Sequence, residues 1–164
     1  MALSGAARLT PENLAKKMAE GKARDVADQN RDFLIIAADT VVAAAGRILG
    51  KPRDEQEARE MLRFLSGKWH QVHTGLALYH RAAKREALMV ETTMVHFREL
   101  SEEEIVFYVK SGEPMDKAGA YGIQGLGAVL VDRIEGCFFN VMGLPLARLT
   151  LLLKDFGIHL LGGE

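Results

Sequence analysis

The chain carries one cysteine, Cys137, so no intramolecular disulfide can staple it, as expected of a protein kept in a reducing cytoplasm. It also lacks any apolar run near the ~20 residues that a bilayer-spanning helix requires, which argues against a membrane protein. No sign of charge dominates: the net charge of -1 at pH 7 excludes broad electrostatic capture of a nucleic acid polymer or of an anionic membrane surface. A local basic pocket remains compatible with that balance. The opening residues, MALSGAARLTPEN, have neither a basic region nor a long apolar stretch and do not read as a secretory signal. Internal repeats, low-complexity tracts and linkers are missing as well. What is present, 164 residues with 48% hydrophobic and 26% charged content, suits one soluble domain with a substantial core.

Thr10-Pro11-Glu12 reads as an N-cap, a first helical proline and an acidic first turn. The spacing predicts a helix from about Pro11 to Asn30, with Leu14, Met18 and Val26 on one i+4 row and Ala15, Ala19, Ala23 and Ala27 beside it. Lys22 interrupts the first row. A lysine there must snorkel outward, pair with a carboxylate, or face a cavity that holds an anion. The apolar run Phe33–Ala38 reads as a strand covered on both faces that stops at Asp39-Thr40, before a second run from Val41 to Ala45. A carboxylate at such a strand end suits the position where ligands bind in open α/β sheets.

Further on, GRILGK superficially resembles a phosphate-binding P-loop but has only three residues between its glycines, and Pro52 stands where the metal-binding hydroxyl belongs. Asp54 caps a helix with Ala58, Met61, Leu62 and Leu65 inward, ended by Ser66-Gly67. Two long strands follow, about Trp69–His80 and Glu86–Phe97, the first with Val72, Thr74, Leu76 and Leu78 on one face. His70 and His73 lie an odd number apart on a strand and so point to opposite faces, which disfavours a zinc pair. Ser101 and Glu104 form a capping box for a helix closed by Gly112. Ala128–Ile134 and Cys137–Met142 read as paired strands turning at Glu135-Gly136, and a last helix spans Leu144–Phe156. The order gives an α/β domain with a mixed sheet.

Residues Asp116 to Gly127 (DKAGAYGIQGLG) place four glycines, two charges and Gln124 in one segment. Such a loop is costly in conformational entropy; it is either a ligand-holding element or a glycine-rich connector. Lysines recruited from separate elements (Lys22, Lys51, Lys117) suit a polyphosphate. Asp39 suits a divalent ion bridging phosphate oxygens, or a base that activates water. The residues alone therefore point to phosphate-ester or anhydride chemistry.

Read together, MAEGKARDVA, AADTVV, ILGKPRDEQEAREMLRFLSGKWHQVHTG, SGEPMDKAGAYGIQG and VMGLPL resemble, in the same order, the Maf family of nucleoside triphosphate pyrophosphatases, from about Leu14 to Leu153. The resemblance implies an elongated mixed β-sheet flanked by helices with a central cleft, a Maf/inosine-triphosphatase-like fold. It also implies a cytoplasmic, commonly dimeric enzyme that splits a nucleoside triphosphate into monophosphate and pyrophosphate with Mg²⁺ or Mn²⁺, associated with house-cleaning of noncanonical nucleotides and with arrest of cell division. Asp39 would be the proton acceptor and metal-binding carboxylate; Lys22, Lys51 and Lys117 would bind phosphates; Thr40 and Gln124 would set substrate choice. Glutamine at position 124 resembles the branch acting on dTTP and UTP, whereas the 7-methyl-GTP branch carries glutamate. Family members open on a strand, a Ser-Pro-Arg-Arg turn and a helix. Here MALSGAARLTPEN leads straight to the Lys22 helix, so the expectation is a single domain over 1–164, N-terminally truncated relative to the family. Because an arginine turn is part of the family's phosphate site, a catalytically silent nucleotide-binding or cell-division regulator, or a partly folded fragment, stands beside the active enzyme.

Overall fold

The computed structural model describes residues 9–162. The expected truncation bears on residues 1–8, which lie outside the described residues. Helix α1 (Pro11–Gln29) starts where the Thr10 hydroxyl accepts the Asn13 N–H at 3.2 Å, with Pro11 in the first turn. Its buried row is Ala15, Ala19, Ala23 and Ala27, while Met18 and Val26 are more than 40% exposed. The larger residues of the neighbouring row are therefore not the inner face. The reason lies in the sheet beneath: a Cβ on Gly75 would meet the Ala15 carbonyl oxygen at 2.2 Å, so the helix lies against the strand at a distance that only small side chains permit.

The sheet has the order β2-β1-β3-β4-β5, built from β1 (Ile35–Ala44), β2 (Arg47–Leu49), β3 (Trp69–His80), β4 (Arg85–Phe97) and β5 (Val131–Glu135). The α/β class, with an open sheet flanked by helices, holds. Every pairing among the described strands is antiparallel, where a mixed sheet was expected. No described connection is a crossover between parallel strands; β3 and β4 form a hairpin, and β1 meets β3 after helix α2 (Glu55–Leu65) has reversed the chain. The two apolar runs around Asp39-Thr40 are one continuous strand, so Asp39 sits in mid-strand and not at a strand end.

Odd-numbered Ala77 and Tyr79 pack on α1, whereas Val72 joins the main core with α2 and α3 (Glu102–Lys110). Leu76 and Leu78 pack on α5 (Leu146–Asp155). The alternation is the two-residue period of a strand covered on both faces. Asp54 caps α2, and Ser101 and Glu104 make the reciprocal capping box of α3. Beyond α3 the expected strand pair is replaced. Gly125–Leu130 is a 3₁₀ turn, only Val131–Glu135 is a strand, and Phe138–Val141 is the short helix α4. The helical turn points Asn140 inward, fully buried, where its amide donates to the Val72 carbonyl at 3.1 Å and the Thr93 hydroxyl at 3.0 Å. A strand through Phe138-Phe139-Asn140 would not have met those partners.

Candidate active site

Strand β2 pairs only with Val42–Ala44, so among the described residues Ile35–Val41 of β1 forms an open sheet edge. Cross-strand partners share a face. Asp39 opposes Gly75 and so points toward α1, while Thr40 opposes Thr74 and points to the other side. Side chains from both faces of the sheet can therefore meet around this edge. A cavity of about 340 Å³ opens there, within the roughly 300–1,000 Å³ usual for small-molecule sites.

Lys22, Asp39, Thr40, Lys51, Lys117 and Gln124 all line this cavity. Lys22 reaches from α1 to place its Nζ 2.5 Å from Asp39 Oδ2. Of the outcomes open to a lysine in that helix row, pairing with a carboxylate beside a cavity is the one adopted, and the Lys22 side chain stays 60% exposed. Asp39 is 11% exposed, and its Oδ2 makes no hydrogen bond; the contact with Lys22 is ionic. Lys51 follows β2, on a turn fastened to the glycine segment because Gly119 N–H donates to the Gly50 carbonyl at 3.1 Å. Lys117 donates to the Glu113 carbonyl and to Asp116 Oδ1, each at 2.8 Å. Its hydrogen bond to Asp116 holds that exposed carboxyl below its ordinary range. A Cβ on Gly122 would meet Lys117 Cε at 2.8 Å, so glycine there gives the lysine its passage.

Thr40 and Gln124 complete the polar lining. Thr40 shares a hydrogen bond with Thr74 at 2.9 Å, and Thr74 donates onward to the Asn140 carbonyl at 3.0 Å. This chain fixes α4 to the sheet and with it Met142 and Gly143 of the cavity wall. Gln124 Nε2 lies 3.6 Å from Met142 Sδ. The cavity thus brings together three ammonium groups, a carboxylate, a hydroxyl and an amide, with Lys22 in direct contact with Asp39.

A family model described as "Maf-like protein" matches residues 4–156. The chain belongs to the Maf family. It is 54% identical over 149 residues to a dTTP/UTP pyrophosphatase of Carboxydothermus hydrogenoformans, an overlap that takes in 91% of this chain and 80% of that one. It is 51% identical over 160 residues to a protein of the same name from Acetivibrio thermocellus, covering 93% and 80% of the two chains. The corresponding figures for one from Aquifex aeolicus are 50% over 153 residues, 93% and 78%.

For a member of this family the fit of a divalent ion can be tested on the donors present. Among the described residues no three of His, Cys, Asp or Glu stand together as a metal-ligating group. Asp39 nonetheless offers a carboxylate at the cavity, its buried Oδ2 engaged by the Lys22 ammonium. Mg²⁺ is commonly held by one or two carboxylates with substrate phosphates and water completing the shell, and Asp39 fits that limited role.

Sequence reasoning passed over four residues that shape this site. Glu113 holds the glycine segment through its carboxylate, Tyr108 donates to Glu113, and Thr74 and Asn140 support Thr40. The only sign of Glu113 was an acidic residue just ahead of the loop. Asn140 showed as a polar residue inside an apolar run.

Proposed function

We propose that this Maf-family chain is a nucleoside triphosphate pyrophosphatase that hydrolyses dTTP and UTP to the monophosphate and pyrophosphate. One observation carries the reading: three lysines from separate elements, one partly buried carboxylate and a glutamine line the same cavity. The names of relatives about half identical over most of their length support it. Asp39 stands as the proton acceptor. Water attacks the α-phosphorus, an O–P bond forms, the bond from that phosphorus to the α–β bridging oxygen breaks, and pyrophosphate leaves. The water proton goes to an Asp39 oxygen. Lys22, Lys51 and Lys117 neutralise the triphosphate and the charge that grows on the departing group. For Lys22 this means exchanging part of its contact with Asp39 for phosphate, which frees the carboxylate to act. A bound Mg²⁺ or Mn²⁺ would supply further charge neutralisation and water polarisation beside Asp39. Gln124, offering both donor and acceptor, matches the imide edge of thymine and uracil. A cytoplasmic location and a homodimer belong to the same reading, the former in keeping with a single cysteine.

Pyrophosphate release from a panel of nucleoside triphosphates with Mg²⁺ or Mn²⁺ tests this. Wild type should turn over dTTP and UTP in preference to 7-methyl-GTP, and Asp39→Asn should lower kcat by at least ~10²-fold, the usual span for a lost general base. Wild-type turnover no higher than that of Asp39→Asn would refute the enzyme. Binding of dTTP without hydrolysis would identify a silent nucleotide-binding protein instead.

A further inference from the structure

We propose that Glu113 is a positioning residue for base selection, acting by clamping the glycine segment that carries Gln124; this rests on the pyrophosphatase reading. Glu113 opens a 3₁₀ turn just after α3, where Gly112 (φ 79°) redirects the chain beneath the loop. One carboxylate oxygen accepts the Tyr108 hydroxyl at 2.8 Å and the Gly127 N–H at 2.9 Å. The other accepts the Leu126 N–H at 3.0 Å. Tyr108 in turn accepts the Gly122 N–H at 3.2 Å. Both ends of the segment from Gly122 to Gly127 are thus tied to a single carboxylate–phenol pair, and Gln124 stands between the ties.

The glycines show how close that clamp is. A Cβ on Gly125, whose φ is +60°, would lie 2.6 Å from the Glu113 carboxylate. A Cβ on Gly127 would lie 1.8 Å from the Gly122 carbonyl oxygen and 2.7 Å from the Tyr108 hydroxyl. These glycines therefore serve the approach of Glu113 and Tyr108 and the closure of the loop on itself. Burial pushes the Glu113 carboxyl up, but the bonds from Gly127, Tyr108 and Leu126 outweigh it and leave the group below its ordinary range. The acceptor stays ionised, and each backbone bond to it is charge-assisted. Through its own carbonyl Glu113 also receives Lys117 Nζ, so the same residue fixes a lysine of the cavity and the loop that carries Gln124. Gln124 itself is exposed and contacts Met142 only through sulfur. An amide on a fixed backbone can discriminate hydrogen-bonding edges; on a loose loop it adapts to either pattern.

The test compares dTTP, UTP, dCTP and dGTP hydrolysis by wild type, Glu113→Gln and Tyr108→Phe. Glu113→Gln keeps the size but turns one acceptor into a donor facing an N–H or O–H. It should lower kcat/KM for dTTP and UTP by ~10–100-fold while leaving dCTP and dGTP within about threefold, the span expected for loss of one hydrogen bond to a charged group. Tyr108→Phe should shift the dTTP/dCTP ratio in the same direction by less, and the double variant should lose less than the product of the single losses. A merely structural role would lower all substrates alike, and that result would overturn the proposal, as would an unchanged ratio. If Glu113→Gln does not fold by circular dichroism, an unchanged ratio in Tyr108→Phe overturns it. Wild type without triphosphate hydrolysis removes the pyrophosphatase reading and base selection with it; an active wild type with an unshifted ratio removes this inference alone.

Discussion

The contact between Lys22 and Asp39 joins two side chains of opposite character, a lysine mostly exposed and an aspartate mostly buried. An ion pair with one exposed partner contributes little to stability, about 0–1 kcal/mol. Its value for binding is larger, because the same ammonium can turn to a phosphate and make a charge-assisted bond of about 1.5–3 kcal/mol. Lys22→Met, which keeps the aliphatic stem, should therefore shift the urea midpoint by the equivalent of ~1 kcal/mol or less while raising KM for dTTP by ~10–100-fold. Steady-state pyrophosphate release and equilibrium denaturation check the two halves. An unchanged KM would place the triphosphate away from Lys22. Lys117 differs because two oxygens already hold its ammonium, so recruiting it to phosphate means releasing Asp116 or the Glu113 carbonyl.

At the scale of elements, α1 delivers Lys22 only because it lies almost on β3. Gly75→Ala would drive a methyl into the Ala15 carbonyl, where 2.2 Å is available and the obstacle is backbone. The helix must lift, and overpacking of this kind costs about 1–3 kcal/mol or more. A lower melting temperature should come with a loss of triphosphate hydrolysis, since the lift withdraws Lys22 from Asp39; full activity would show that α1 adjusts by sliding. This element also shows what a sequence can reveal. Caps at Thr10, Asp54 and Ser101 were legible because their partners lie three residues away, and β3 and β4 because alternation is local. Of the two adjacent rows read on α1, the alanine row is the buried one, because the glycine opposite selects alanine. Asp39-Thr40 looked like a strand end because a polar pair breaks an apolar run, yet a sheet edge accommodates one. The six predicted site residues, which line one cavity, stood out through charge, glycine density and family resemblance. Thr74 and Asn140 were not, since their meeting spans 66 positions and leaves no local pattern.

Across the whole molecule, the core that supports the cavity wall contains a histidine. His70 is 1% exposed, packs edge-on against Phe97 and Tyr121, and has its Nε2 2.6 Å from the Tyr121 hydroxyl. Its Nδ1 is buried without a partner. Burial lowers its pKa from 6.5 to about 4, with the nearby His96 adding to the effect. Between those values the unfolded chain binds a proton that the folded chain refuses, so stability is full above the unfolded pKa and falls as pH drops toward the folded one. The loss amounts to about 3 kcal/mol over that window. His73, also lowered by burial against the opposing charge of Glu12, acts in the same direction. The bond from Arg98 pushes Glu104 down from 4.5 to about 2, so its contribution is kept above the higher value and lost as pH falls toward the lower, mostly beneath the histidine window. Urea denaturation at successive pH values should show stability falling between pH ~6.5 and ~4 in wild type and much of that slope gone in His70→Phe, whose ring cannot take up the proton. Parallel pH profiles for the two proteins would mean that the buried ring opens to water before the fold does. In that case Tyr121, which lines the cavity, would lose its partner in acid while the domain is still intact, and triphosphate hydrolysis would decline before the unfolding transition.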